Sequence, residues 1–347
     1  MPMGHNGPRF DIDTPLRNTA HWAITFLRSF QLSKDDIFIN AARKSLEYIS
    51  SHSRRSNGAF FCRNSIMKDK SNGLIGQAWV IEALAIGGNT LKKEKLLDIA
   101  TNVFLNHKFN KRLGLWHQLG IDGSIGPMID TFNQQVWFAL SGFLICEQDY
   151  FNPLIKERLE IFFENIFDNL YLFNSGLICH GIPKSRLNKI SSFNNYFDIY
   201  IKKMKKVFYE QSLGYHSFNL YAFSVLSRLS DELNNKLKSN KKFNMALKFV
   251  LKKKYERSLI NNIYAFQYNP TGIEIAYTII AFSDIIKDLY GKNPKSLSSY
   301  WLNKQLNLHF SIRDGYLNKN TIDGKILSAR LYEATRIPNM PLQFGAN

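Results

Sequence analysis

Asp130-Thr131-Phe132-Asn133-Gln134-Gln135-Val136-Trp137 opens a helix-like apolar stretch, and its last four residues align with Gly76-Gln77-Ala78-Trp79 and Thr19-Ala20-His21-Trp22. The alignment extends to a series of six aromatics: Trp22, Trp79, Trp137, Tyr221, Tyr277 and Tyr332. Each sits in an apolar helical stretch, and their separations are 57, 58, 84, 56 and 55 residues. A period of this length fits one unit of two helices with their loops, so the repeat sets the architecture before any motif is considered.

Working outward, each unit carries a second mark. A short glycine-and-apolar segment precedes the next periodic stretch: Asn57-Gly58-Ala59-Phe60, Leu113-Gly114-Leu115-Trp116, Ser175-Gly176-Leu177-Ile178 and Asp314-Gly315-Tyr316-Leu317. In the fifth unit the glycine is lost, giving Ile263-Tyr264-Ala265-Phe266. Such segments fit extended turns from an outer helix to the next inner one. Helix starts are marked by Thr14-Pro15 and by Asn152-Pro153, a capping side chain followed by proline in the first turn. The fold expected is all-α: an (α/α)6 toroidal barrel, six inner helices ringed by about five outer ones. The last hairpin is expected to be incomplete, since little chain follows Tyr332. An open helical solenoid is the alternative, but six repeats are the number that closes a ring. The chain is read as one toroid domain over residues 1–347. The spacing of 84 leaves about 25 extra positions, a basic, aromatic insert near 181–210 expected to be a lid, a surface helix or a partner contact.

Composition bounds the function. The formal charge is +17, with lysine clusters at 202–206, 241–242 and 252–254. Solvated faces are the first reading, and attraction to an anionic substrate or an acidic membrane surface is the second. Nucleic acid is not expected, because zinc-finger spacing and an aromatic RNA-binding signature are both missing. Three cysteines without metal-ligand spacing suggest reduced thiols in a cytosolic protein. The amino-terminal residues lack a basic-then-apolar signal, and no apolar run approaches the roughly 20 residues that span a bilayer. No metal site is expected, and with no phosphate loop or strand–GxGxxG–helix unit no cofactor is expected either.

The chain resembles the six-hairpin glycosidase-like superfamily, on the repeat and on the segments 72–79 and 130–137 quoted above in part. It looks closest to a branch associated with assembly of surface polysaccharides and protein-linked glycans. The resemblance implies a carbohydrate-active protein; enzymes on this fold include uronyl hydrolases, polysaccharide lyases and sugar epimerases. No complete catalytic signature of any one of them stands in the sequence, and a fold does not name a reaction.

In such a ring, the loops entering the inner helices gather at one mouth. Two positions before the periodic aromatics stand Ala20, Gln77, Gln135, Asn219, Ile275 and Arg330, and amides and an arginine there suit hydroxyl and carboxylate recognition. Asn133 and Gln134 extend the set, and Trp116 with His117 offers an aromatic platform beside a polar group. Arg17 and His21 form a second cluster. Candidate catalytic groups are Asp130, Glu274 and His216, with His180 also near the expected mouth. Hydrolysis would use paired carboxylates such as Asp130 and Glu274. Epimerisation or elimination would use a histidine base with Arg17 or Arg330. The competing reading is a non-catalytic glycan-binding or scaffolding protein of a polysaccharide-assembly complex, with a possible peripheral contact to membrane-associated partners.

Overall fold

The computed structural model describes the chain except residues 2, 5–7, 9, 52–54, 57, 67, 148–151, 184–185, 188–197 and 343–347, and it describes residues 55–56 and 198–204 by their backbone. Three helical hairpins open the fold: α1 (Leu16–Ser33) with α2 (Asp36–Ser50), α3 (Gly73–Leu91) with α4 (Glu94–Asn106), and α5 (Phe132–Ile145) with α6 (Pro153–Asn169). The fourth inner helix, α7 (Asp198–Leu229), pairs with three short outer ones, α8 (Asp231–Ser239), α9 (Lys241–Val250) and α10 (Lys253–Ser258). Then come α11 (Thr271–Ala281), α12 (Ser283–Tyr290), α13 (Pro294–His309) and α14 (Gly324–Ala329), which runs into a 3-10 turn at Arg330–Arg336. Neighbours in the inner layer follow chain order, α1 on α3, α3 on α5, α5 on α7 and α7 on α11. The 3-10 turn touches both α11 and α1, so the ring closes. The sixth inner element is short, and extended residues follow it as far as position 342.

Burial explains the two layers. Helices α3, α5 and α11 are apolar almost all round because other helices cover every face. Helices α2, α4 and α9 keep one apolar stripe toward the ring and a charged face toward water. Caps appear where the sequence signals them: Asn152 accepts from the amides of Leu154 and Ile155, with Pro153 first in α6.

The extended turns are short antiparallel pairs, Arg55–Ser56 with Ala59–Phe60, Leu115–Leu119 with Phe109–Asn110 and Ile125–Met128, and Phe310–Ser311 with Tyr316–Leu317. These turns, and the corresponding ones at Ile178 and Tyr264, are each gripped by a polar side chain of the inner element that follows or of the connection into it. Gln77 bonds the amide and carbonyl of Phe60 at 2.7 and 3.0 Å. Gln135 does the same to Trp116, at 2.9 Å on each side. His216 Nδ1 accepts from the Ile178 amide at 3.2 Å, Asn269 donates to the Tyr264 carbonyl at 2.6 Å, and Ser328 accepts from the Leu317 amide at 3.0 Å. A buried strand end needs such partners because its backbone groups cannot reach water.

Most of the described part of the insert takes one of its expected forms, a surface helix. Residues 184–185 and 188–197 of it lie outside the described set, but from residue 198 onward it is helix, continuous with the inner helix. Residues 198–210 of the insert are therefore the first turns of α7. The aromatic register slips once. Trp22 is half-buried and stacks on Phe26, while His21 points inward and lies flat on Tyr332 at 4.3 Å. His21 thus takes the place in the ring that the repeat assigned to Trp22.

Candidate functional site

A small cavity lies where the starts of the inner helices meet. Its aromatic surfaces are Trp79 from α3, Tyr215 and Phe218 from α7, and Tyr268 from the connection before α11. Amides line it as well: Asn72, Asn133, Gln134 and Asn269. Thr131, His180 and Arg330 complete the polar part. Aromatic faces with a few convergent polar groups are the ordinary composition of a small-molecule or sugar site.

The local backbone explains the placement. Asn72 adopts the left-handed conformation and Gly73 follows at φ 59°, which turns the chain into α3. A side chain at Gly73 would collide with Gln134, whose Oε1 accepts from the amides of Leu74 and Ile75 at 3.0 and 3.4 Å. Gln134 therefore caps the neighbouring helix while lining the cavity. His180 is held by antiparallel pairing of Thr131 with Gly181, and by its own amide donating to Ser212 Oγ at 3.0 Å. Its ring stacks on Tyr215 at 4.8 Å.

Behind the wall stands a buried ionic cluster. Arg330 donates through Nε to Glu333 at 2.5 Å, through Nη1 to Asn269 at 2.9 Å and through Nη2 to Glu274 at 2.9 Å. Its guanidinium also lies over the rings of Phe218 and Trp79, 4.9 and 5.9 Å from their centres. Glu274 receives a second bond from Ser217 at 2.6 Å, whereas Glu333 Oε2 has no hydrogen-bond partner. Deeper in the ring, Arg336 binds Glu82 at 2.5 Å and Tyr221 at 3.1 Å, and Tyr332 donates to Glu82 at 3.3 Å. Arg17 pairs with Asp13 at 3.0 Å and lies over Trp79 at 5.2 Å, touching Tyr268 at 3.4 Å.

Burial sets the charges of this cluster. Desolvation raises the Glu274 carboxyl to about 7 and Glu333 to about 8, with Arg330 pulling each partly back. Four carboxylates, Asp13, Glu82, Glu274 and Glu333, face three guanidiniums, Arg17, Arg330 and Arg336. Burial raises Asp13 and Glu82 as well. Of the two carboxyls on Arg330, the doubly bonded Glu274 is the better anion, and Glu333, with one oxygen unbonded, is the readier to hold a proton. His21 is neutral, held well below the usual histidine range first by burial and then by Arg330 and Arg17.

Glu333 carries a stability signature. Its raised folded-state value means that its contribution is complete below about 4.5, the ordinary carboxylate value, and is lost as pH rises through about 8. The buried histidines His107 and His216, lowered to about 4 and about 3, work the other way and add stability as pH rises toward 6.5. Subtracting Glu333→Gln from wild type cancels them. Chemical denaturation at pH 5 and pH 8 should show the wild type losing at least ~1 kcal/mol more than the variant, one pKa unit being about 1.4 kcal/mol. Equal losses would show that Glu333 does not hold the proton.

Of the residues expected from sequence, Asn133, Gln134 and Arg330 line the cavity together. Glu274 touches it only through Arg330, and Arg17 and His21 stand behind Trp79. Asp130 is exposed, one residue before the wall residue Thr131, and its carbonyl accepts from the Ile182 amide at 2.7 Å. Other candidates have different roles. His216 is fully buried with both ring nitrogens committed, Nε2 donating to Ala246 at 3.1 Å, so it clamps a turn and has no nitrogen left for proton transfer. Gln77 is a clamp of the same kind. Trp116 is fully buried among Phe104, Phe109, Phe138 and Phe162 and offers no sugar platform. His117 bonds Gly126 on the strand pair away from the cavity, and Asn219 donates to Tyr215 one turn back along its helix. Sequence reasoning passed over Asn72, Tyr215, Tyr268 and Asn269, which follow no common repeat position. Among the described residues no group of three or more histidine, cysteine, aspartate or glutamate side chains could hold a metal ion.

The same architecture recurs in solved structures. The cellobiose 2-epimerase of Bacillus thermoamylovorans superposes with a TM-score of 0.64 at 9% identity, covering 96% of this chain and 91% of its own. That of Spirochaeta thermophila gives 0.61 at 12%, covering 93% and 84%. An alpha-1,6-mannanase from Salegentibacter sp. gives 0.58 at 10%, covering 96% and 92%. These likenesses bear on the fold alone, an (α/α)6 toroid. No protein-family model matches the chain. One curated relative is 33% identical over 356 aligned positions, spanning 97% of this chain and 91% of its own length, the archaeal glycosylation protein Q of Haloferax volcanii. Identity at that level along nearly the whole ring places the chain in the family of archaeal glycosylation protein Q.

Proposed function

We propose that the protein acts on a sugar of a glycan under assembly and rearranges it by proton transfer, as in isomerisation or epimerisation. The supporting observation is the cavity wall. Among its described residues, His180 is the one side chain of a type that titrates near neutral pH, and no carboxylate lines the cavity. Two-carboxylate hydrolysis needs an acid and a second carboxylate or base flanking the bond. The structurally similar mannanase has an inactive variant in which two successive aspartates are replaced. The sole Asp-Asp pair in this chain, Asp35-Asp36, opens outer helix α2 on the exposed surface. The glycosylation relative and the sugar-epimerase neighbours supply the substrate class.

In this reading His180 takes the proton from the carbon beside the carbonyl of the open-chain sugar. The electron pair moves onto the carbonyl oxygen, where Arg330 and the amides of Asn133 and Gln134 steady it. For the isomer, the hydroxyl proton of the first carbon moves to the former carbonyl oxygen as His180 returns its proton to the neighbouring carbon. For the epimer, the intermediate turns over in the cavity and the proton returns to the other face of the first carbon. No oxidant or cofactor enters the balance. Tyr215, Trp79 and Tyr268 supply the stacking surfaces. The test is proton NMR in deuterated water with a panel of neutral and uronic-acid sugars and nucleotide sugars. Deuterium entering a ring carbon is the expected result. A new reducing end without deuterium would replace the proposal with hydrolysis, and line broadening without turnover would replace it with binding.

A further inference from the structure

Two lysine clusters of this basic chain, at 205–206 and 252–254, lie beside the cavity. On the amino-terminal half of α7, Lys205, Lys206, Val207, Phe208 and Tyr209 are all exposed. The Phe208 ring stands 6.4 Å from that of His180, which puts this segment at the cavity mouth. A second stretch exposes Lys252, Lys253, Lys254, Arg257, Ile260 and Ile263. Three contacts join the two. Asn262 donates to the Glu210 carbonyl at 2.8 Å, and the ring of Tyr264 lies 5.9 Å from that of the wall residue Tyr215. Lys252 donates to Ser175 at 3.2 Å, on the turn whose Phe173 packs edge-to-face on Tyr209 at 5.1 Å.

Cations and exposed apolar side chains thus alternate along one rim. The acidic residues of the same segments offset little of this charge. Glu256 is occupied by Lys304 and Tyr300, and Glu210 is half-buried. A solvated face would carry the lysines without Ile260, which is 63% exposed, or Phe208 and Tyr209. A polyphosphate strand would use the cations but leave the isoleucines without a partner. An anionic bilayer uses both: headgroups for the lysines and the acyl boundary for the apolar side chains. Among the described residues no helix is long and apolar enough to cross a membrane, so the contact is peripheral.

We propose that this rim docks the protein on an anionic lipid surface with the cavity mouth beside the headgroups. The rim is independent of the chemistry assigned to His180. The experiment is co-sedimentation of the full chain with vesicles of phosphatidylcholine alone, or with about 30 mol% phosphatidylglycerol, where each lysine near the surface adds about a fivefold gain. Binding is expected to be at least ~10-fold tighter on the anionic vesicles and to fall steeply between about 0.1 and 0.5 M salt. The variant Lys205→Glu/Lys206→Glu/Lys253→Glu/Lys254→Glu should lose at least ~10-fold with its thermal melting unchanged. Ile260→Ser/Ile263→Ser should weaken vesicle binding a few-fold while leaving binding to heparin as in wild type. Equal binding to both vesicle types, or none to either, would overturn the proposal. So would equal loss of vesicle and heparin binding in the isoleucine variant, which would assign the rim to a soluble acidic macromolecule.

Discussion

Replacing Arg330 with methionine is expected to cost about 3–5 kcal/mol of folding stability near pH 8, the range for leaving buried charge without its partner. The magnitude follows from what Arg330 neutralises. Its side chain is 1% exposed and bonds two carboxylates, themselves fully buried, together with the Asn269 amide. Without it, Glu274 and Glu333 keep only Ser217 between them. Both carboxyls, already raised, are driven higher still, so the variant folds only by taking up protons. The deficit should therefore shrink as the pH is lowered toward 5.

One control separates charge from volume. Removing the whole triad at once, in Arg330→Met/Glu274→Gln/Glu333→Gln, should restore most of the loss, since an apolar or amide replacement of a buried ionic group is often neutral. Equal instability in the single and triple variants would assign the loss to packing over Trp79 and Phe218. The triple variant has a second use. It is expected to fold yet fail to turn over sugar, because Arg330 also forms part of the cavity wall.

This cluster shows where the sequence was legible. Arg330 and Glu274 stood out as polar residues on apolar helical stripes, and burial at those positions requires pairing. The partnership was legible too: Arg330 and Glu274 lie 56 residues apart, one unit of the repeat, so the ring sets them side by side as an internal ion pair. The amides were misread. Gln77 and Gln135 occupy a ligand-facing place in the repeat, yet their bonds run backward to the strand ends at Phe60 and Trp116. A glutamine reaches a neighbouring backbone as readily as a sugar hydroxyl, and only position decides between them.

The architecture was better marked, since a two-helix period survives any choice of which side chain points inward. Register does not survive so well: a helix turns 100° per residue, so the slip from Trp22 to His21 moves a different side chain into the ring. The start of α7 inside the insert had a signal in lysine and methionine, both good helix formers. Tyr268 and Asn269 had none, because they come from a connection that follows neither period.

His180→Gln is expected to lower turnover by about 10²–10⁴-fold, the usual contribution of a positioned acid–base group, while leaving melting and sugar affinity near those of wild type. Stability is spared because the residue is anchored through its backbone, by the amide bond to Ser212 and the neighbouring pairing of Thr131 with Gly181, and neither depends on the ring. Affinity is spared because Trp79, Tyr268 and the amides of Asn133 and Gln134 stay in place. The loss should fall on kcat, with KM little changed, and deuterium exchange at the ring carbon should fall in step with turnover. Asp130→Asn is the necessary companion, since this exposed carboxylate stands next to the wall in the chain and was the sequence's first choice as acid or base. If proton transfer belongs to His180, Asp130→Asn keeps turnover within about tenfold, a loss below that of a general acid or base. Collapse of turnover in Asp130→Asn with His180→Gln near wild type would move the chemistry to the rim and restore a carboxylate mechanism. Equal collapse in both would make them an acid–base pair acting across the mouth, with the histidine still the base.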